Sequence, residues 1–200
     1  MALILASASP RRQELLRNAN IEFVVQSVDI PEIARPNEAP KQFAERLARE
    51  KALAVFWRRS SARASAEFIL AADTIVVVDG LILGKPTDST DAARILRLLS
   101  GRTHTVTTGV CLLGPGTGDA QSHPGFEEVR SETTLVTMDT LSEADIESYI
   151  ATGEPMDKAG AYAIQGRASR WIPRIEGDYC NVVGLPIALV CRMLTEHKVA

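Results

Sequence analysis

The chain has 200 residues, 46% hydrophobic and 24% charged, with a net charge of −3. A chain of this size buries roughly 70% of its unfolded surface, enough for a sizeable core, and 13 Gly with 10 Pro exclude a fibrous or disordered composition. The weakly acidic balance argues against general nucleic-acid binding, and the apolar runs at 68–72 and 74–78 fall far short of the ~20 residues that span a bilayer.

The start, MALILASASPRR, places its arginines after a very short apolar stretch, the reverse of a signal peptide's order, so the expected location is the cytoplasm. Leu3–Ala6 then predicts a strand, and Pro10 opens a helix to Arg17, with Ser7 or Ser9 as its cap. Lys41–Trp57 predicts a long helix of strong formers. The β-branched stretch Ile69–Val78 predicts a strand that turns at Asp79-Gly80 into Leu81–Leu83. A helix over Thr90–Leu99, introduced by Asp88-Ser89, stops at Gly101. Strands are expected over Thr103–Leu113 and Val129–Met138. The six Gly and Pro residues in Gly114–Gly125 make that stretch a loop tolerant of insertion. Ser142 and Asp145 approximate a capping box for a helix to Ala151. Asp157–Gln165 is expected to be loop and then strand, Trp171–Ile175 a further strand, and Pro186 the start of the last helix. Strands alternating with helices, plus one obligatory hairpin, predict an α/β fold with a mixed sheet.

Cys111, Cys180 and Cys191 are odd in number and far apart, so they form neither a disulfide framework nor a zinc knuckle. His104, His123 and His197 make no HExxH pair, and there is no GxSxG elbow. A hydrolase with this sequence would therefore use an oxygen-ligated metal. Charge is uneven: residues 1–65 carry +4 and the remainder −7. This suits either ordinary solvated faces or a basic region facing an anionic ligand with carboxylates nearby.

Four features break the local hydrophobic pattern, which is where functional residues are expected. Ser7, Ser9, Arg11 and Arg12 gather hydroxyls and guanidiniums at a helix start, either a phosphate cradle or a capped surface helix. Lys51 shares a helical face with Ala44, Leu47, Ala48 and Ala54, so it either snorkels or points into a site. Asp73 lies inside FILAADTIVVV, where an ionised carboxylate needs a partner, a metal or a cleft, and Thr74 points to the opposite face of a regular strand. Lys85 follows the hairpin at the same end of that strand pair. In DKAGAYAIQG at 157–166, Gln165 offers a donor and an acceptor, either to a nucleobase edge or to backbone.

The segments ASASPRRQELL at 6–16, RLAREKA at 46–52, AADT at 71–74, GKP at 84–86, LSGRTHTV at 99–106, DKAGAYAIQG at 157–166 and GDYCNVVGLP at 177–186 together resemble the Maf family of nucleoside triphosphate pyrophosphatases, once described as septum-formation inhibitors. The resemblance covers almost the whole chain and implies one domain over 1–200. It implies an inosine triphosphatase-like α/β fold: an elongated mixed sheet flanked by helices, with two lobes around a nucleotide cleft. The implied reaction converts a nucleoside triphosphate, dTTP or UTP by the form of DKAGAYAIQG, to the monophosphate and pyrophosphate with a divalent cation, Mg²⁺ or Mn²⁺. By position, the family's proton acceptor falls on Asp73, its specificity residues on Arg11, Thr74 and Gln165, and its phosphate contacts on Ser7, Arg12, Lys51 and Lys85. Glu32 matches an acidic position that would join Asp73 at the metal. The expected partner is the triphosphate itself, with no nucleic acid and no membrane; a homodimer is left open. A second reading is a nucleotide-binding regulator of septation whose turnover is incidental.

Overall fold

A computed structural model describes residues 2–60, 67–117 and 123–199. β1 (Ala2–Leu5) leads into α1 (Pro10–Asn18), where the Ser9 hydroxyl accepts the Arg12 N–H at 3.5 Å. Pro10 stands in the first turn, where its missing N–H costs nothing. β2 (Val24–Val25) pairs in parallel with β1, and α2 (Pro40–Ser60) precedes β3 (Glu67–Val78). β1 also pairs in parallel with β3, from Ala2↔Glu67 to Leu5↔Leu70. β4 (Leu81–Leu83) returns antiparallel along β3 through Asp79 and Gly80, whose φ values of 50° and 77° are those a tight hairpin turn requires.

α3 (Ser89–Leu99) is capped by Asp88, which accepts the Asp91 N–H at 2.8 Å. β5 (Thr103–Leu113) follows, then the short antiparallel pair β6 (Gly116–Thr117) and β7 (His123–Pro124), then β8 (Glu127–Thr137). The middle of the expected 114–125 loop, residues 118–122, lies outside the described residues. α4 (Glu143–Ile150) opens with the reciprocal Ser142–Asp145 box. β9 (Arg174–Glu176) pairs antiparallel with β8, and α5 (Tyr179–Val183) and α6 (Ile187–Glu196) complete the chain. The strand order is β2-β1-β3-β5-β8-β9 with β4 also on β3, giving the mixed seven-stranded sheet of an α/β fold. Among the described residues, no helix is long and apolar enough to cross a membrane.

The chain divides into two compact units, Met1–Asp73 with Thr108–Glu132 and Gly184–Ala200, and Thr74–Thr107 with Thr133–Val183. In the first, Ala48, Ala52, Val55 and Phe56 of α2 pack on Ile4, Ile69, Ala71, Cys111 and Leu113 of the strands. Alanines on this face let the helix approach closely. At Gly109 of β5 an added Cβ would lie 2.4 Å from the Ala44 carbonyl oxygen, so helix and strand meet backbone to backbone. In the second unit, Val76, Ile95, Leu96, Leu99, Ile146, Tyr149 and Trp171 share a separate core.

Two expectations are corrected. Asp157–Gln165 contains no strand, and Trp171–Ile175 is a strand only from Arg174. Instead 3₁₀ turns occupy Glu154–Asp157, Ala159–Ala161 and Arg167–Trp171. Gly160 and Ala161 adopt φ of 73° and 57°, which bend the chain out of an extended path. Tyr162 and Trp171, residues typical of strands, fill the second core instead.

Candidate active site

Pairing of β1 with β3 ends at Leu70, so the next residues of β3 extend past the carboxyl end of β1, where the chain turns through Ser7 into α1. Asp73 lies on this extension and is 5% exposed. Its Oδ1 accepts from Lys51 Nζ of α2 at 2.5 Å, and the same ammonium donates to Glu32 Oε1 at 2.6 Å. Burial pushes the Asp73 carboxyl above its ordinary range; Lys51 and Arg12 pull it back and the Glu32 charge adds to the rise. A buried ion pair contributes little to fold stability, because desolvation consumes most of its attraction. A base with raised proton affinity is, by contrast, useful for catalysis near neutral pH.

Arg12 is fixed from two sides: Nη1 donates to Ser7 Oγ at 3.1 Å, and Nε donates to the Gly184 carbonyl at 2.8 Å. Burial lowers its pKa, opposed by the Asp73 charge and reinforced by neighbouring Arg11. The buried Ser7 hydroxyl also accepts the Ser9 N–H at 3.3 Å. Arg11 is half-buried on the same turn of α1. Sequence reasoning missed Arg46, one helical turn before Glu50 on α2. It binds the Ile33 carbonyl at 3.0 Å and Glu38 Oε1 at 2.5 Å, and its hydrogen bond holds the Glu38 carboxyl down to about 2. This anchors the irregular segment that carries Glu32. Gly184 lies in the GDYCNVVGLP segment, but its role was missed, because a backbone carbonyl acceptor does not depend on residue type.

The other expected residues belong to the second unit. Thr74 is half-buried on β3, while Lys85 and Gln165 are exposed, in the irregular stretch after β4 and in the turn at 164–166. The Gly160 N–H donates to the Gly84 carbonyl at 3.1 Å, tying the DKAGAYAIQG segment to the stretch that carries Lys85. Among the described residues, no cluster of three or more His, Cys, Asp and Glu side chains is disposed to hold a metal ion. Asp73 and Glu32 nevertheless converge on one cationic atom, the Lys51 nitrogen. Two hard oxygen donors of this kind suit a cation that takes its remaining ligands from phosphate and water.

Residues 2–197 match the family described as Maf-like protein. A protein of Koribacter versatilis named dTTP/UTP pyrophosphatase is 56% identical over 194 residues, covering 97% of this chain and 93% of that one. Proteins of the same name from Symbiobacterium thermophilum and Geobacter sulfurreducens are 51% and 48% identical, covering 97% and 94% of this chain and 93% and 92% of their own. A solved nucleoside-triphosphatase / dITP/XTP pyrophosphatase from Mycobacterium abscessus is 16% identical at a TM-score of 0.37, covering 69% of this chain and 73% of that one, too distant to bear on the fold.

Proposed function

The chain belongs to the Maf-like protein family, and on that premise we propose that it hydrolyses nucleoside triphosphates, dTTP and UTP before others, to the monophosphate and pyrophosphate. Residues 1–200 are assigned to one Maf-like domain, a reading supported by the family match over 2–197. The observation that carries the chemistry is the buried Asp73 carboxylate, held against Lys51 and within the field of Arg12.

Asp73 is assigned as the proton acceptor. A water oxygen attacks the α-phosphorus and its proton passes to Asp73 as the new P–O bond forms; the bond from the α-phosphorus to the α–β bridging oxygen breaks, and that oxygen leaves with the β-phosphorus as pyrophosphate. Ser7, Arg12, Lys51 and Lys85 are assigned to the phosphates. A triphosphate carries about four negative charges, and one cation at ~4 Å offsets up to ~4 kcal/mol before desolvation. Glu32 and Asp73, which converge on the Lys51 ammonium, would hold a divalent cation, Mg²⁺ or Mn²⁺. When bound, such a cation supplies charge neutralisation and makes water more acidic.

Gln165 is assigned to the base. Uracil and thymine present an N3–H between two carbonyls, so one amide can accept from N3 and donate to O4. Arg11 and Thr74 are assigned to the same discrimination. The test is a panel of triphosphates with product identification. Pyrophosphate and monophosphate are expected in equal amounts, with dTTP and UTP ahead of CTP and the purine triphosphates in kcat/KM. Orthophosphate as the product, or no turnover at all, overturns the reading.

A further inference from the structure

The turn that carries Gln165 is held on its two sides by two side chains that are bonded to each other. Two residues before it, the Ala163 N–H donates to Tyr149 Oη at 3.1 Å. Two residues after it, the Arg167 N–H donates to the Glu154 carboxylate at 3.1 and 3.2 Å. The two anchors are joined, because Tyr149 Oη donates to Glu154 Oε1 at 2.7 Å. A carboxylate can only accept, so the single phenolic proton is committed to Glu154 and an oxygen lone pair is left for Ala163. Burial raises the Tyr149 pKa, and the bond to Glu154 raises it further, which keeps that proton in place.

The clamp is itself fixed. Tyr149 is 1% exposed in the second core, the Glu154 N–H donates to Thr152 Oγ1 at 3.1 Å, and the Glu154 carbonyl accepts from Lys158 Nζ at 2.7 Å. The fit leaves no slack. The Gly166 N–H closes on the Ala163 carbonyl at 3.0 Å, and a Cβ at Gly166 would lie 2.1 Å from Glu154 Oε1.

We infer that Tyr149 and Glu154 are positioning residues for base selection: by pinning the backbone at 163 and 167 they present the Gln165 amide from one fixed place, although neither side chain is assigned to substrate. The inference rests on the assignment of Gln165 to the base. Selection between uracil and cytosine needs this fixity, because their edges differ only in the order of donor and acceptor. A site loose by a fraction of an ångström lets one amide meet either pattern.

The experiment compares Tyr149→Phe, Glu154→Gln and Gln165→Ala with the parent enzyme. Two readouts are used: amide hydrogen exchange at Ala163 and Arg167, and the ratio of kcat/KM for UTP over CTP. Loss of one hydrogen bond in the clamp is expected to speed exchange at these amides by ~10-fold. The UTP-over-CTP ratio should fall in both clamp variants toward that of Gln165→Ala, whereas a merely structural role would lower both substrates equally. If Glu154→Gln does not fold, Tyr149→Phe, which keeps the core-filling ring, decides alone. Unchanged exchange overturns the clamp. Faster exchange with an unchanged ratio, where Gln165→Ala does change it, overturns the link from clamp to selection. If Gln165→Ala itself leaves the ratio unchanged, the inference falls through the assignment of Gln165 while the exchange data still report on the clamp.

Discussion

The two units of the chain hold their candidate residues by opposite means. In the first, charges hold charges: Lys51 lies between Asp73 and Glu32, and Arg12 feels the Asp73 carboxylate. Altering any one of them changes the proton affinity of another. In the second, Lys85 and Gln165 are exposed, and what is fixed is backbone, through Gly84, Ala163 and Arg167. Sensitivity to pH should therefore concentrate in the first unit's contribution to turnover, and sensitivity to shape in the second unit's contribution to selection.

The largest expected effect is at Asp73. Asp73→Asn keeps the shape of the side chain but cannot take a proton, and kcat should fall by ~10²–10⁴-fold with triphosphate affinity within about tenfold. Near-normal kcat in a pyrophosphate-release assay would remove the first unit's claim to the chemistry.

A test that strains the comparison uses His104, a titratable group in the second unit. It is buried, with Nε2 2.8 Å from Tyr162 Oη, and burial pushes its pKa down to about 4. Between that value and ~6.5 the unfolded chain binds a proton that the native chain does not, so stability rises with pH across this window. Acidification from pH 7 to 4 should cost up to ~3 kcal/mol through this group, and His104→Gln should flatten that slope in urea titrations at the two pH values. An unchanged slope would mean that His104 is protonated in the fold.

Gln165→Ala should compress the ranking of dTTP and UTP over CTP by ~10–100-fold, measured as ratios of kcat/KM, since loss of a hydrogen-bonding partner to the bound base costs ~1–3 kcal/mol. The smallest effect separates the two lysines. Lys51→Ala and Lys85→Ala should each weaken triphosphate binding more than monophosphate binding in calorimetry, by about tenfold. Only Lys51→Ala should also move the acid limb of the pH–kcat/KM profile upward, because the Lys51 charge and hydrogen bond offset the burial that raises Asp73. A matching shift in Lys85→Ala would erase the distinction between the units.

Much of this was legible in the sequence because it is local. Ser9, Asp88 and Ser142 each cap the helix they precede, and Asp79-Gly80 makes its hairpin, since these signals act within four residues. Asp73 and Lys51 were visible as polar residues breaking an apolar pattern. Their pairing was not, because 22 residues separate them and no period connects them. The 157–175 stretch misled for a related reason. Two parts of it were expected to be strands, yet the Ala163 and Arg167 amides are satisfied by Tyr149 and Glu154, and those of Ala161, Gly166 and Ser169 by carbonyls three residues back, choices of which local composition carries no trace.

The hydrogen bond from Arg12 to the Gly184 carbonyl spans 172 residues, nearly the full length of the chain. During synthesis the turn that carries Arg12 emerges 172 residues before Gly184, and its guanidinium lacks this acceptor until Gly184 is translated. A product truncated before Gly184 carries the local signals for α1 and its Ser9 cap, but it lacks the carbonyl that holds Arg12 Nε. Premature termination thus separates the local signals for the opening helix from the long-range contact on Arg12, leaving its guanidinium with Ser7 but without the Gly184 carbonyl.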